Sequence, residues 1–184
     1  MSSAVCVFCG SQNGFAPAYA TAAQKLGAGL AQSGWPLVYG GGSVGLMGLV
    51  ARDVLANQGN VIGVITQVLM AEEVGLAEAT ELIVTETMQE RKALMIARAA
   101  AFVILPGGFG TLDELFEILA LKQLGYLAKP IILINLKGFY DPLLKLLEHI
   151  ATQGFLYPKH LELFQSVASV EEALEELTRV LGTF

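Results

Sequence analysis

Charge is scarce in this chain. Only 15% of its 184 residues are Asp, Glu, Lys or Arg, against about 25% in an average domain. A monomer of this size cannot be well coated by so few charges, and 54% of the residues are hydrophobic. A covered subunit interface, at least a homodimer, is therefore expected. The formal net charge of -6 argues against a nucleic-acid backbone as partner but leaves room for a local basic pocket. Cysteine and histidine number two each. Cys6 and Cys9 form a C-x-x-C, but they fall at a candidate strand, where odd spacing sends side chains to opposite faces. Redox pairs usually sit at a helix N-terminus. A structural zinc needs four ligands, and only His149 and His160 could add nitrogen. The pair is read as two small buried apolar residues, and no metal site is expected. No uncharged apolar run approaches the ~18 residues of a membrane span. The start, MSSAVCVFCG, lacks a basic leader, so a cytoplasmic location is expected.

What is present is a regular alternation. Apolar strand candidates are Ala4–Phe8, Leu37–Tyr39, Val61–Ile65, Leu82–Thr85, Phe102–Leu105, Ile131–Ile134 and Val167–Ala168. Between and after them lie helical stretches at Ala16–Gln32, Val44–Asn57, Met88–Ala100, Leu112–Leu124, Pro142–Thr152 and Val170–Leu181. With no linker or repeat, residues 1–184 read as one α/β domain. The expected architecture is a Rossmann-like doubly wound parallel sheet of about seven strands with helices on both faces. Ligands in such sheets bind beyond the carboxyl ends of the strands. Cys9-Gly10-Ser11, Gly40-Gly41-Gly42 and Pro106-Gly107-Gly108 all fall at such ends.

The third of these is the most informative. Gly107, Gly108 and Gly110 let backbone N–H groups approach a ligand closely. Thr111 is placed to cap the helix that follows. Strand, glycine loop and helix N-terminus together make an anion site. The loop is not a Walker loop, because no lysine follows Gly110. Glu114 has two readings. Thr111-x-x-Glu114 is a capping-box signature, in which Glu114 only returns a hydrogen bond. Alternatively it faces the part of a ligand next to a bound phosphate. Ser169-x-x-Glu172 looks like a second box.

Gly40, Gly42 and Gly45 match the dinucleotide fingerprint, but no acid ends the next strand at Ile65-Thr66-Gln67. Gly41-Gly42-Ser43-Val44-Gly45 also matches a serine-hydrolase elbow, with Asp141 and His149 or His160 in order. No oxyanion loop accompanies it, and the plain reading is a tight turn packing helix on sheet. Arg91, Met95 and Arg98 share a helix face at i, i+4, i+7. That face is either a solvated basic surface or a source of positive charge for the glycine loop. His149 and His160 show no partners in the sequence and read as structural or exposed.

Tyr39-Gly40-Gly41-Gly42, Gly45-Leu46-Met47-Gly48, Glu90-Arg91-Lys92 and Pro106-Gly107-Gly108-Phe109-Gly110-Thr111-Leu112-Asp113-Glu114 resemble the LOG ("lonely guy") family. So do Gln123-Leu124-Gly125 and Lys129-Pro130. The similarity runs from about Cys6 to Gly154. It implies a Rossmann-like fold, commonly a dimer, and a cytokinin riboside 5'-monophosphate phosphoribohydrolase. Such enzymes cleave the N-glycosidic bond of N6-modified AMP, and often of AMP, giving free base and ribose 5-phosphate. The resemblance implies that Arg91 and Glu114 are catalytic. It implies that Lys92, Gly107, Gly108, Gly110 and Thr111 contact the nucleotide around its phosphate, and that Glu73 is a further substrate contact. No cofactor is implied. The chain departs from the family pattern at Gln89, Ala100 and Ala120-Leu121, the last near a substrate position. Proteins of this kind are often labelled lysine decarboxylases, but no Schiff-base lysine with a ring-nitrogen partner can be assembled here.

The expected chemistry is metal-independent. A carboxylate at Glu114 would stabilise an oxocarbenium-like state or position water. Arg91 would neutralise charge and orient the nucleotide. The rival from another class is a nucleotide or phosphorylated-cofactor carrier with the same loop and no turnover.

Overall fold

The computed structural model describes residues 4–73 and 75–182, without side chains for residues 71–73. The chain runs β1 (Val5–Phe8), α1 (Pro17–Gln32), β2 (Leu37–Tyr39), α2 (Gly45–Ala56), β3 (Val61–Thr66), α3 (Gln67–Glu73), β4 (Glu81–Thr85), α4 (Met88–Arg98), β5 (Ala101–Ile104), α5 (Phe109–Gln123), β6 (Ile131–Ile134), α6 (Asp141–Thr152), β7 (Gln165–Val167) and α7 (Val170–Leu181). Short 3-10 segments lie at Leu136–Gly138 and Pro158–Leu163. All seven strands are parallel, in the order β4-β3-β2-β1-β5-β6-β7. The expected doubly wound α/β sheet is therefore found. The chain winds outward from β1 to β4, returns to β5, and winds out the other way. β1 and β5 pair from Val5↔Ala101 to Phe8↔Ile104, so the topological switch point lies beyond Phe8 and Ile104.

The central strands are apolar at every position because helices cover both faces. Alternate residues of one strand enter different cores. Val5 and Val7 join α1, α2 and α7 on one face. Cys6 and Phe8 join Met95 of α4 and Leu115 and Ile118 of α5 on the other. Cys6 and Cys9 divide between the two faces, both buried and unpaired. Burial raises both thiols above their usual pKa, Cys6 and Cys9 alike, which is the opposite of a reactive thiolate.

Several element ends differ from the sequence reading. Strand β7 is Gln165–Val167 rather than Val167–Ala168; as an edge strand it carries two exposed polar residues. Helix α3 was not expected, and its signal is the Thr66 hydroxyl, which accepts from Leu69 N–H at 3.3 Å. Helix α5 starts at Phe109, with Gly108 as N-cap and no side-chain cap. Thr111 is thus the third helical residue, and the Thr111-x-x-Glu114 capping box does not exist. A full box occurs instead at Thr87 and Glu90, opening α4. At α7, Ser169 caps Glu172 N–H, but Glu172 returns its bond to Ala168 N–H.

Candidate active site

Three loops are lashed together at the switch point. Gly10 N–H donates to Pro106 O at 3.0 Å, and Leu46 N–H donates to Gly10 O at 3.1 Å. Met47 N–H donates to the same carbonyl at 3.4 Å, so a backbone carbonyl sits where a dinucleotide-binding helix would present those N–H groups to a pyrophosphate. Gly45 has φ +59°, and a Cβ on it would lie 2.2 Å from the Ser11 carbonyl carbon. The fingerprint glycines therefore make a tight turn that packs helix on sheet. Nor is a serine triad formed. Asp141 accepts from Asn135 Nδ2 at 2.7 Å. His149 is exposed eight residues further along the same helix, about 12 Å away by helical rise. Among the described residues no group of His, Cys, Asp and Glu could hold a metal ion.

The N-terminus of α5 is different. It has neither a side-chain cap nor an acid in its first turn, so its leading N–H groups have no partner within the helix. The glycines before it serve two purposes. A Cβ on Gly107 would fall 2.0 Å from Thr111 Oγ1, so packing demands glycine there. A Cβ on Gly108 or Gly110 would meet nothing within 4 Å. Those two positions face open space in front of an uncompensated positive dipole end. Thr111 itself is 3% exposed. Its side chain lies against Gly107. A cleft of about 320 Å³ opens between this loop and the loop after β1, lined by Ser11, Asn13, Tyr19, Leu46, Gly108 and Phe139 among others. Tyr19 and Phe139 meet edge to face with centroids 5.8 Å apart.

Arg91 and Glu114 lie on the α4–α5 side of the sheet, and neither lines that cleft. Arg91 is 5% and Glu114 8% exposed. Three of the five guanidinium N–H donors have partners here: Nε donates to Val64 O at 2.9 Å, Nη2 to Gly40 O at 3.2 Å, and Nη1 to Glu114 Oε1 at 3.2 Å. Gly40 is glycine for this reason, since a Cβ there would sit 2.1 Å from Nη2. Burial pushes the Glu114 carboxyl up to about 7. The Arg91 charge acts against that shift and Asp113 adds to it. A buried carboxyl that titrates near neutrality suits general acid–base work.

The basic face of α4 is not one surface. Arg91 turns inward, whereas Arg98 makes a bidentate pair with Glu81 at 3.0 and 3.2 Å. Lys92 pairs with Asp113 at 2.9 Å and approaches Glu117 at 3.0 Å. The Glu73 side chain lies outside the described residues; its helix leaves the same sheet edge as the crevice. Ala120 lines a separate apolar pocket of about 140 Å³ with Phe116, Leu119, Leu156 and Leu163. The carbonyls of Gly40 and Val64, and the acids Asp113 and Glu117, complete the Arg91 region. Backbone acceptors carry no sequence signal, whereas Asp113 and Glu117, one helical turn apart, are visible as a pair.

The chain matches a family model described as "Possible lysine decarboxylase" over residues 47–177. "Probable cytokinin riboside 5'-monophosphate phosphoribohydrolase LOGL1" of Oryza sativa subsp. japonica is 43% identical over 94% of this chain and 78% of that protein. "Cytokinin riboside 5'-monophosphate phosphoribohydrolase LOG7" of Arabidopsis thaliana is 42% identical over 94% of this chain and 80% of its own length. Among solved structures, the molybdenum cofactor carrier protein from Chlamydomonas reinhardtii superposes with a TM-score of 0.74 at 20% identity, covering 100% of both chains. At that identity the likeness is one of fold. The decarboxylase description does not fit the lysines. Lys92 is held protonated, chiefly by its hydrogen bond to Asp113. Lys122 and Lys129, lowered by burial, donate to backbone carbonyls of Lys129 and Ile96, at the amino end of β6, opposite the crevice. Identities of 42–43% over 94% of the chain settle its kinship: the chain belongs to the LOG family.

Proposed function

We propose that the protein hydrolyses the N-glycosidic bond of nucleoside 5'-monophosphates, N6-modified AMP such as a cytokinin riboside monophosphate and AMP itself, releasing base and ribose 5-phosphate. One observation carries the reading. A buried carboxyl titrating near 7 is held by a buried guanidinium, less than two turns behind an uncapped helix N-terminus. Phosphate bound to the N–H groups of Gly108, Phe109, Gly110 and Thr111 would fix the ribose over Glu114. As carboxylate, Glu114 would stabilise the positive charge growing on the sugar and draw a proton from the attacking water. Arg91 would hold the carboxylate in place and keep it ionised. Immobilising the ribose in this way can lower the barrier by several kcal/mol, up to about 7.

The relatives named as phosphoribohydrolases, at 42–46% identity, support this substrate class over a carrier role. A phosphate carrier has no use for a titratable acid one turn behind its anion site. The protein works without a metal, in the cytoplasm, and as a homodimer. The apolar side chains of Phe116, Leu124, Tyr126, Phe155 and Tyr157, all exposed around the end of α5 and the segment after α6, offer the surface for a second copy. Base release from AMP and from an N6-isopentenyl analogue, followed by chromatography in the presence of EDTA, tests the activity. Tight nucleotide binding without base release would favour the carrier.

A further inference from the structure

The cleft between the loop after β1 and the glycine loop takes no part in the chemistry proposed above. Its volume of about 320 Å³ falls at the small end of ligand pockets, roughly 300–1,000 Å³. Among the described residues that line it there is no Asp, Glu, Lys, Arg or His. Ser11, Gln12 and Asn13 supply hydroxyl and amide groups, and Tyr19, Leu46 and Phe139 supply an apolar wall. A charged ligand would give up hydration there with no counter-ion to meet it, whereas a neutral one would not.

The flanking loops are shaped around the two rings. Gly14 has φ +68°, and a Cβ on it would lie 2.8 Å from Tyr19 Cδ2, so the tyrosine ring packs on bare backbone. On the opposite wall Lys137 and Gly138 take left-handed φ values of +52° and +73°, a conformation uncommon for lysine. Hydrogen bonds clamp this turn. Asn135 Nδ2 donates to Asp141 Oδ1 and Tyr140 N–H donates to Asn135 Oδ1, both at 2.7 Å. The buried Tyr140 hydroxyl donates to Leu105 O at 2.7 Å. Phe139 stays 38% exposed. Its ring meets Tyr140 and Tyr19 edge to face, at 4.8 and 5.8 Å between centroids. Strained backbone that its surroundings over-determine concentrates at ligand clamps, and the large side chain that this turn presents to the cleft is Phe139.

We propose that the cleft is a second ligand site, which takes a neutral planar heteroaromatic ring, a free purine base, against Phe139 and Tyr19 and reads its edge with Ser11, Gln12 and Asn13. A purine base is flat and uncharged and carries donors and acceptors on its rim, the complement of an aromatic wall bordered by amides and a hydroxyl. Arg91 and Glu114 do not line the cleft, so its occupant is a second molecule and not the base of the substrate. The source of that molecule rests on the activity proposed above, whose leaving group is such a base; the binding does not. Gly107 and Gly108 line the cleft and belong to the loop that would hold the phosphate, so an occupied cleft should slow turnover without excluding AMP.

The probe is radiolabelled adenine in equilibrium dialysis. The parent should retain it, and Glu114→Gln should retain it with excess AMP filling the catalytic site. Phe139→Leu should weaken adenine binding ~10-fold or more, and Phe139→Tyr should keep it. Asn13→Ala, at an exposed rim position, should weaken it ~3-fold or more with an unchanged melt, which keeps the test open should Phe139→Leu fail to fold. Added adenine should lower the parental kcat on AMP with KM little changed, and Phe139→Leu should lose that inhibition. Adenine fully displaced by AMP would place it in the catalytic site and overturn the proposal. So would adenine held equally by Phe139→Leu and Asn13→Ala, or none retained at about 1 mM. If the parent neither binds nor cleaves AMP, the proposed activity fails, and adenine binding by the parent and the cleft variants alone decides this site.

Discussion

Arg91 Nη1 and Glu114 Oε1 meet at 3.2 Å in a site where both residues are more than nine-tenths buried. They come from successive helices on one face of the sheet, and the carbonyls of Gly40 and Val64 each accept one further guanidinium N–H. The pair is therefore neither a surface ion pair nor a helix cap. Removing one partner strands the other in a dry place.

That fixes the outcome of Glu114→Gln. Turnover should fall by ~100-fold or more if the carboxylate acts as base or cation stabiliser. Stability should fall too, by about 1–3 kcal/mol, because Arg91 keeps its charge and exchanges a charged hydrogen-bond partner for a neutral one. The capping-box reading requires the opposite, since glutamine serves equally well at the third helical position. Base release and a urea melt on the same preparation separate the two. A variant that melts as the parent does and cleaves AMP at the parental rate would reduce Glu114 to a structural residue.

The pH dependence follows from the direction of the Glu114 shift. Burial raises this carboxyl from 4.5 to about 7. If it works as the ionised form, kcat/KM on AMP should climb from pH 6 to pH 8 on a limb governed by one group. The same shift acts on folding. Between the two pKa values the folded chain holds a proton that the unfolded chain has lost, so Glu114's contribution to stability declines as pH rises from about 4.5 to about 7. Glu114→Gln should remove both the activity limb and that slope. A parental rate profile flat across neutrality would show that the step is not governed by this carboxyl.

Gly40→Ala tests the seat of the guanidinium without touching a charge. A Cβ there would come within 2.1 Å of Arg91 Nη2, and the adjacent Gly40 carbonyl is one of its acceptors. The arginine must shift, Glu114 loses its partner geometry, and kcat should fall ~10-fold or more, since small misplacements of catalytic groups are costly. Unchanged kinetics would mean that Arg91 can leave its seat freely.

The sheet was legible because its strands are short apolar runs separated by helices of ordinary length, and burial on both faces admits little else. The site was legible only in part. The four-residue capping signature stands at both Thr87–Glu90 and Thr111–Glu114, and only the first is a cap. At the second, Gly108 and Phe109 start the helix early and rotate Glu114 inward to Arg91. Local sequence cannot separate the two cases, because what decides is a guanidinium 23 residues away. The same holds for Arg91 and Arg98, one buried and one at the surface on what reads as a single face. Conversely, the glycines of Gly40-x-Gly42-x-x-Gly45 were visible, but their reasons were tertiary. One seats Arg91, and another admits the Ser11 backbone.

The glycine loop offers the sharpest separation of binding from folding. Gly107 is glycine because Thr111 fills the space behind it, so Gly107→Ala should destabilise the protein and lose activity together. Gly108 has a negative φ of -97°, and a Cβ on it meets no protein atom within 4 Å. Gly108→Ala should therefore melt close to the parent, within about 1 kcal/mol. If the open space belongs to a phosphate held by the first N–H groups of α5, the added methyl intrudes on the ligand alone. KM for AMP should rise ~10-fold or more, while the weak reaction of adenosine, which has no phosphate to place, should be little changed. Equal loss on AMP and adenosine would put the phosphate elsewhere. A Gly108→Ala protein with parental KM for AMP would leave the N-terminus of α5 without a ligand, and the anion site would have to be sought at the cleft walled by Tyr19 and Phe139.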